Sequence, residues 1–188
     1  MHKIISKIFR FISSNVFFYL TLLWFFIQSG WIAISGLYPM AYDERYHLEV
    51  IKIYTKRIHP FWSGDPSGPA PYGALSRDPS YLYHYIMSLP MRVIELLTDD
   101  PRLQITILRF ISIGLFITGI YIFRKVLRSA GCSKALSNVV LAMFAATPLV
   151  SLLAAQINYD NLLIVVFGLA LLLMQRILAS LPKNLEAK

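Results

Sequence analysis

Four long runs of apolar residues divide this chain. They cover about residues 11–36, 103–123, 135–157 and 161–181, and the first and third contain no charged residue. A helix of about 20 mostly apolar residues is long enough to cross a lipid bilayer. The pattern therefore predicts an all-α, polytopic membrane bundle with four transmembrane helices in a single membrane domain, 1–188. Gly114 and Gly119, inside the second run, are expected to be helix-packing residues.

Composition and charge narrow the class of protein further. Hydrophobic residues make up 56% of the 188 residues and charged residues 15%, below the quarter or so that is usual in soluble domains. The net charge is +8, but the basic residues flank the apolar runs and form no stripe with interleaved aromatics, so we expect no nucleic-acid partner. The single cysteine, Cys132, excludes an internal disulfide framework and a zinc knuckle.

The short basic flanks predict an orientation, because Lys and Arg accumulate on the cytoplasmic side of membrane helices. Basic residues precede the first run, lie at 124–134 between the second and third runs, and occur in the C-terminal tail. A multi-pass protein of the cytoplasmic (inner) membrane with both termini cytoplasmic satisfies all three. The segment 37–102 then forms a large periplasmic or extracellular loop. The first run is too long for a secretory signal and is expected to be retained.

The outer loop contains two helical patterns separated by a stretch rich in Pro and Gly. The first pattern covers about 43–58, with Asp43 as its expected N-cap, and the second covers about 80–97 and is rich in tyrosine. We expect both helices to lie in the membrane interface, with Tyr83 at the headgroup level. Pro90 should kink or end the second helix, and Pro101 should stand near the start of the next span.

The acidic pair Asp43 and Glu44 is the first candidate for chemistry. His47 follows at helical spacings of i+4 and i+3, so all three side chains can share one face. In one interpretation, Asp43 caps the helix and the others are solvated. In the other, a carboxylate in a cleft at the membrane surface acts as general base. We expect no metal site made by protein ligands alone, because Glu44-x-x-His47 occurs once. A divalent cation, Mg²⁺ or Mn²⁺, shared with a bound phosphate is the one cofactor left open.

Further polar residues fall on the same predicted side. Asn158 and Asp160 form the second outer turn, where Asp160 either caps the last span or approaches Asp43. Arg109 lies two turns into the second span, where it either snorkels to the surface or faces inward and binds a lipid phosphate. Together with His47 and Tyr83 these residues are candidate substrate-binding groups. His59 and His84 have no helical partner and are expected to be interfacial.

Three stretches of the sequence resemble one family of enzymes. They are "YPMAYDERYHL" at 38–48, "RDPSYLYHYIMSLP" at 77–90 and "AAQINYDNLL" at 154–163. Their order is similar to that in the N-terminal part of GT-C-type integral membrane glycosyltransferases, which include protein O-mannosyltransferases and aminoarabinose transferases. The resemblance implies inverting transfer of a sugar from a polyprenyl-phosphate-linked donor to an acceptor hydroxyl, at the outer face of the membrane, for the cell envelope. Asp43, or Glu44 beside it, matches the loop carboxylate that deprotonates the acceptor or steers a cation.

The chain departs from that family in its number of spans, since the family core has more than the four predicted here. Three interpretations agree with this smaller number of spans: the chain is a fragment, it pairs with a second membrane subunit, or it has no catalytic activity. The alternative function is therefore a non-catalytic membrane subunit or a lipid-linked-glycan-binding protein with a truncated core. Membrane lipids are expected partners in either case. A transporter is less favoured, because no inverted repeat and no mid-span charge are present.

Overall fold

The computed structural model describes residues 2–40, 43–58, 60 and 81–180. Most of the Pro- and Gly-rich stretch, with His59, and the tail 181–188 lie outside this part. Every regular element in the described ranges is an α-helix, which confirms the predicted class there. In chain order the helices are α1 (His2–Ile12), α2 (Asn15–Ser35), α3 (Glu44–Thr55), α4 (Tyr81–Leu97), α5 (Pro101–Ser129), α6 (Lys134–Ala145), α7 (Pro148–Ala154) and α8 (Asp160–Ser180).

Three of these helices are long and apolar enough to cross a membrane, namely α2, α5 and α8. The helix α5 lies at the centre of the bundle and packs against α2, α4, α6 and α8, most extensively against α8. Asp100 caps α5 by accepting a hydrogen bond from the Arg102 N–H, and Pro101 occupies its first turn. The predicted start of this helix is confirmed.

The third apolar run, predicted as one span over about 135–157, is not one continuous helix. α6 ends at Ala145, and α7 begins at Pro148 after a bend of 74°. Proline has no N–H to donate and forces the residue before it out of the helical conformation, and Thr147 accordingly has ψ 119°. Within the described residues, the candidate spans therefore number three, or four if the bent pair counts as one.

The first apolar run is also interrupted, near its start. α1 and α2 are separate helices, and Ser14 begins α2 by accepting a hydrogen bond from the Phe17 N–H at 3.1 Å. In α1, Lys3, Lys7 and Arg10 follow helical spacing along one side, while its large apolar side chains are exposed. The predicted basic flank before the first span is therefore itself a helix.

The helices α3 and α4 pack against each other and α4 packs against α5. Their shared core contains Leu48 and Ile51 from α3, Met87 and Met91 from α4, and Leu108 from α5. Pro90 lies inside α4, which continues to Leu97. Of the two alternatives expected at Pro90, a kink or the end of the helix, the second is therefore wrong.

The close packing of α5 and α8 depends on two glycines. A Cβ atom at Gly119 would lie 2.6 Å from Cγ2 of Ile164, and one at Gly168 would lie 2.8 Å from Cγ2 of Ile122. Both distances are too short for non-bonded carbons, so the helices can approach this closely only with glycine at these positions. Gly119 is therefore a packing residue, as predicted, whereas Gly114 faces open space.

Candidate functional site

Polar groups of the side chains and the backbone, from five parts of the fold, meet at one end of the bundle. They come from the C-terminal end of α2, the start of α3, the start of α4, the first turns of α5 and the link between α7 and α8. Along the chain these parts are far apart, and the packing of α3 and α4 beside α5 brings them together.

An ion pair between Glu44 and Arg109 lies at the centre of this cluster. Nε of Arg109 donates to Oε1 of Glu44 at 2.8 Å, and Nη2 donates to Oε2 at 2.8 Å. Both residues are buried, with exposed fractions of 0% for Glu44 and 2% for Arg109. Such a bidentate pair fixes both the position and the plane of the two groups. The alternative in which Arg109 snorkels to the surface is wrong.

The remaining donors of Arg109 bind the C-terminal end of α2. Nη1 donates to the carbonyl oxygens of Ala33 at 3.0 Å and Gly36 at 2.9 Å, and Nη2 reaches that of Leu37 at 3.4 Å. The last carbonyls of a helix have no partner within the helix, so the guanidinium satisfies groups that would otherwise be unpaired. All five N–H donors of Arg109 are occupied in this arrangement.

The carboxylate of Glu44 is also fully surrounded by donors. Besides Arg109, it accepts hydrogen bonds from the backbone N–H of Met40 at 2.8 Å and of Ile157 at 3.4 Å. Glu44 thereby joins the segment after α2, the start of α3, the helix α5 and the link before α8. Glu44 is therefore a buried residue whose hydrogen bonds cross-link these four parts of the fold.

A pair of histidines, His47 and His84, lies next to Glu44. Nδ1 of His47 and Nε2 of His84 are 2.9 Å apart, and the two rings stack at 24°. One nitrogen must donate and the other accept, so the contact holds one shared proton. Both side chains are buried, with exposed fractions of 1%. The expectation that His84 is interfacial is wrong, and nothing in the spacing of α4 alone indicates its partner in α3.

The environment of His47 favours its neutral form. Burial lowers the pKa of His47, because the charged imidazolium loses its hydration. The negative charge of Asp43, and less strongly those of Asp160 and Glu44, acts in the opposite direction. His47 is therefore a buried imidazole that faces carboxylates from both α3 and α8.

Asp43 stands at the rim of the site, with 49% of its side chain exposed. It occupies the N-cap position of α3, but its side chain makes no capping hydrogen bond. Its Oδ2 instead lies 3.6 Å from Nε2 of His47, an ion-pair distance that is slightly too long for a hydrogen bond. The predicted N-cap position of Asp43 is confirmed, but its side chain does not cap the helix. Asp43, His47 and His84 instead form a chain from the rim into the interior.

Tyr83 lies inside the cluster and is enclosed by protein, so its side chain does not face lipid headgroups as expected. It is buried, and its hydroxyl is 3.5 Å from Oγ of Ser112 and close to the backbone of Asn158. Burial raises the pKa of Tyr83, so the side chain remains a neutral hydroxyl. Its ring meets that of His47 edge to face, with centroids 6.2 Å apart.

The link before α8 completes the cluster. Oδ1 of Asn158 accepts a hydrogen bond from the Asp160 N–H at 3.1 Å, so Asn158 supplies the capping oxygen expected from Asp160. Asp160 is the first residue of α8 and is half-buried. The ring of Tyr159 meets His47 edge to face at 5.2 Å.

The structure thus brings all seven predicted site residues to one end of the bundle. These are Asp43, Glu44, His47, Tyr83, Arg109, Asn158 and Asp160. The pairing of Glu44 with Arg109 and the contribution of His84 are not predicted by the sequence. Among the described residues, no three His, Cys, Asp or Glu side chains form a group that could hold a metal ion. A cation at Asp43 would need further oxygen ligands from a bound phosphate.

A cavity of about 360 Å³ opens beside the Glu44–Arg109 pair. It lies between the end of α2 and the start of α5, and Leu37, Tyr38 and Ile105 contribute to its walls. Arg102 and Arg109 also line it. The cavity therefore combines apolar walls with cationic groups.

No family model, curated protein or solved structure matches this chain.

Proposed function

We propose that this chain is an integral membrane glycosyltransferase, or a module of one. It transfers a sugar from a polyprenyl-phosphate-linked donor to an acceptor hydroxyl at the outer face of the cytoplasmic membrane. In this proposal Asp43 is the general base. The Glu44–Arg109 pair holds the surrounding elements in place, and the donor phosphate binds nearby.

One observation carries the proposal: the three stretches that resemble GT-C glycosyltransferases meet at one place. Glu44 in 38–48 contacts the backbone of Ile157 in 154–163, and His47 contacts His84 in 77–90. Tyr83 lies close to the backbone of Asn158. Separate stretches with a shared chemical role are expected to converge in this way, and this convergence supports a common site.

Asp43 fits the role of base better than Glu44 does. Glu44 is buried and surrounded by donors, whereas Asp43 is half exposed and can reach an acceptor. In the transfer, Asp43 takes the proton of the acceptor O–H while that oxygen bonds to the anomeric carbon. The bond between this carbon and the phosphate oxygen breaks, and the phosphate leaves with the electron pair. His47, backed by His84, orients the Asp43 carboxylate.

The cavity beside Arg109 is the proposed site for the lipid end of the donor. Its apolar walls suit an isoprenoid chain, and the exposed Arg102 at its lining can bind a phosphate oxygen. The donors of Arg109 are occupied and its charge is compensated by Glu44, so its contribution is to hold the end of α2 that forms one wall of the cavity. A divalent cation between Asp43 and the phosphate would add to this binding.

The same arrangement supports the bent pair α6–α7 as a fourth span. Asn138, near the start of α6, bonds to the carbonyl of Ser14 at the start of α2. Ile157, just after α7, bonds to Glu44 beside the end of α2. The pair thus covers the length of α2, about 31 Å at 1.5 Å per residue. In this topology the short flanks rich in Lys and Arg are cytoplasmic, and α3 and α4 lie at the outer interface.

The test uses the full chain in phospholipid nanodiscs. Undecaprenyl phosphates carrying radiolabelled mannose, glucose or aminoarabinose serve as donor probes, and the release of sugar from the lipid is measured. We expect Asp43→Asn to lower kcat roughly 10²–10⁴-fold, as loss of a general base does, with little change in KM. Asp99→Asn, at an exposed acidic residue at the same end of the bundle, should retain the wild-type rate. A wild-type rate for Asp43→Asn would refute its role as base.

A second function, a lipid-linked-glycan-binding subunit without catalysis, is favoured by the state of Glu44. Its carboxylate is committed to Arg109, so only one member of the Asp-Glu pair remains available for chemistry. Binding of the same donor probes without release of sugar, by wild type and Asp43→Asn alike, would select this function. Turnover by the wild-type chain alone would exclude it.

A further inference from the structure

A second cavity, of about 310 Å³, lies at the opposite end of the bundle. It is formed by the start of α2, the last turns of α5 and the start of α6, and its walls contain Asn15, Tyr121, Arg124, Lys125, Arg128 and Lys134. The sequence from 101 to 159 contains no Asp or Glu. Four cationic side chains therefore surround this cavity, and none of its lining residues carries a negative charge. We call it the basic pocket.

Arg124 is held rigidly in the basic pocket by neutral groups. Its Nε donates to Oδ1 of Asn138 at 3.0 Å, and its Nη2 donates to Oδ1 of Asn15 at 2.8 Å. Its guanidinium carbon lies 4.2 Å above the ring of Phe18. These contacts orient the side chain without neutralising its charge. Its Nη1 makes no hydrogen bond to any described residue, so it can donate to an anion.

The other cations are placed around the same space. Nζ of Lys125 lies 4.7 Å from the ring centroid of Tyr121, and Arg128 donates to the carbonyl of Cys132. Lys134 is the first residue of α6, so the positive end of this helix dipole adds to its charge. An arrangement of several cations without counter-charge is complementary to a phosphate group.

The basic pocket lies at a level where lipid headgroups are expected. It is at the ends of the apolar helices α2 and α5, and Nδ2 of Asn138 donates to the carbonyls of Ile12 and Ser14 at the junction of α1 and α2. The junction of α1 and α2 therefore lies beside the pocket. With cations on one side and exposed apolar side chains on the other, α1 has the form of a helix that lies in the membrane interface.

We propose that the basic pocket binds the phosphate of an anionic phospholipid headgroup. Arg124 and Lys134 contact the phosphate oxygens, Lys125 and Arg128 add positive charge at the rim, and the acyl chains extend along the apolar surfaces of α2 and α5. This site is separate from the acidic cluster at the other end and does not depend on the proposed glycosyl transfer.

The test measures lipid binding to the delipidated full chain by native mass spectrometry in detergent. Phosphatidylglycerol is titrated against phosphatidylcholine, which carries the same phosphate but no net charge. The pocket variant is Arg128→Gln with Lys134→Gln, and both residues are exposed, so the fold should be retained. The matched control is Arg45→Gln with Lys56→Gln, which removes one exposed Arg and one exposed Lys from α3 and the residue following it.

We expect wild type and control to bind phosphatidylglycerol in preference to phosphatidylcholine. The pocket variant should bind phosphatidylglycerol about 30-fold more weakly. Each Lys or Arg near a membrane surface contributes about fivefold to the affinity for an anionic lipid, and the variant removes two of them. The charge-retaining variant Arg128→Lys with Lys134→Arg should bind as wild type does. Equal losses in pocket variant and control would overturn the proposal. Displacement of the lipid by inorganic phosphate at comparable concentration would also overturn it, in favour of a free phosphate ion.

Discussion

The ion pair between Glu44 and Arg109 makes a sharp prediction about stability. Replacing Arg109 with Leu removes two charge-assisted hydrogen bonds to Glu44 and three contacts to the last carbonyls of α2. Glu44 would keep only the N–H groups of Met40 and Ile157. Breaking a buried pair by removing one partner costs about 3–5 kcal/mol, because an uncompensated charge stays buried. We expect Arg109→Leu to lower the free energy of unfolding by this amount.

The control is Arg102→Leu, two turns earlier on the same helix. Arg102 is exposed, so this change should alter the free energy of unfolding by no more than about 0.5 kcal/mol. Both variants can be compared by titrating dodecylmaltoside micelles with sodium dodecyl sulfate and following helix content by circular dichroism.

A double variant separates the ion pair from other effects of the leucine. Glu44→Gln with Arg109→Leu leaves no isolated charge in the core. Its loss of unfolding free energy should therefore be smaller than the summed losses of the two single variants. The difference should be about 0.5–3 kcal/mol, the range of coupling energies for residues in contact. The reasoning is refuted if Arg109→Leu costs no more than Arg102→Leu, or if the double variant costs the full sum.

Two further predictions concern packing and pH. Gly119→Ala should destabilise the protein by about 1–3 kcal/mol, because its Cβ would collide with Ile164. Gly114→Ala, in open space on the same helix, should be neutral or stabilising by up to about 1 kcal/mol; equal effects of the two in the same micelle titration would contradict the packing argument. The second prediction follows from the lowered pKa of His47. Below pH about 6.5 the unfolded chain takes up a proton that the folded site resists, so stability should fall as the pH is lowered. Thermal unfolding of His47→Asn between pH 7 and 5 should show a weaker pH dependence than wild type, and equal slopes would argue against His47 as the cause.

The long apolar helices could be predicted because their signal is local. α2, α5 and α8 each contain a run long enough to span a bilayer, and the pair Asp100 and Pro101 marks the start of α5. The bend before Pro148 also has a local signal, the proline itself. The separate helix α1 has a local signal as well, because Lys3, Lys7 and Arg10 follow helical spacing.

The contacts of the candidate site could not be derived in the same way. Helical spacing places Asp43, Glu44 and His47 near one another, but it does not identify their partners. Glu44 binds Arg109, 65 residues further along the chain, and His47 binds His84, 37 residues further along. These pairs depend on how α3 and α4 pack beside α5. A pattern along a single helix contains no information about that packing.

The uneven placement of charge gives the bundle an electrical polarity along its long axis. Acidic and basic side chains are mixed near the Glu44–Arg109 pair, whereas around the basic pocket and α1 the described charged residues are all Lys or Arg. In a membrane whose potential is negative on one side, the electric field favours the orientation that places the basic pocket on that side. Moving each elementary charge across such a membrane costs about 2.3 kcal/mol per 100 mV. The voltage that an energised membrane maintains would thus act against inversion of the inserted protein.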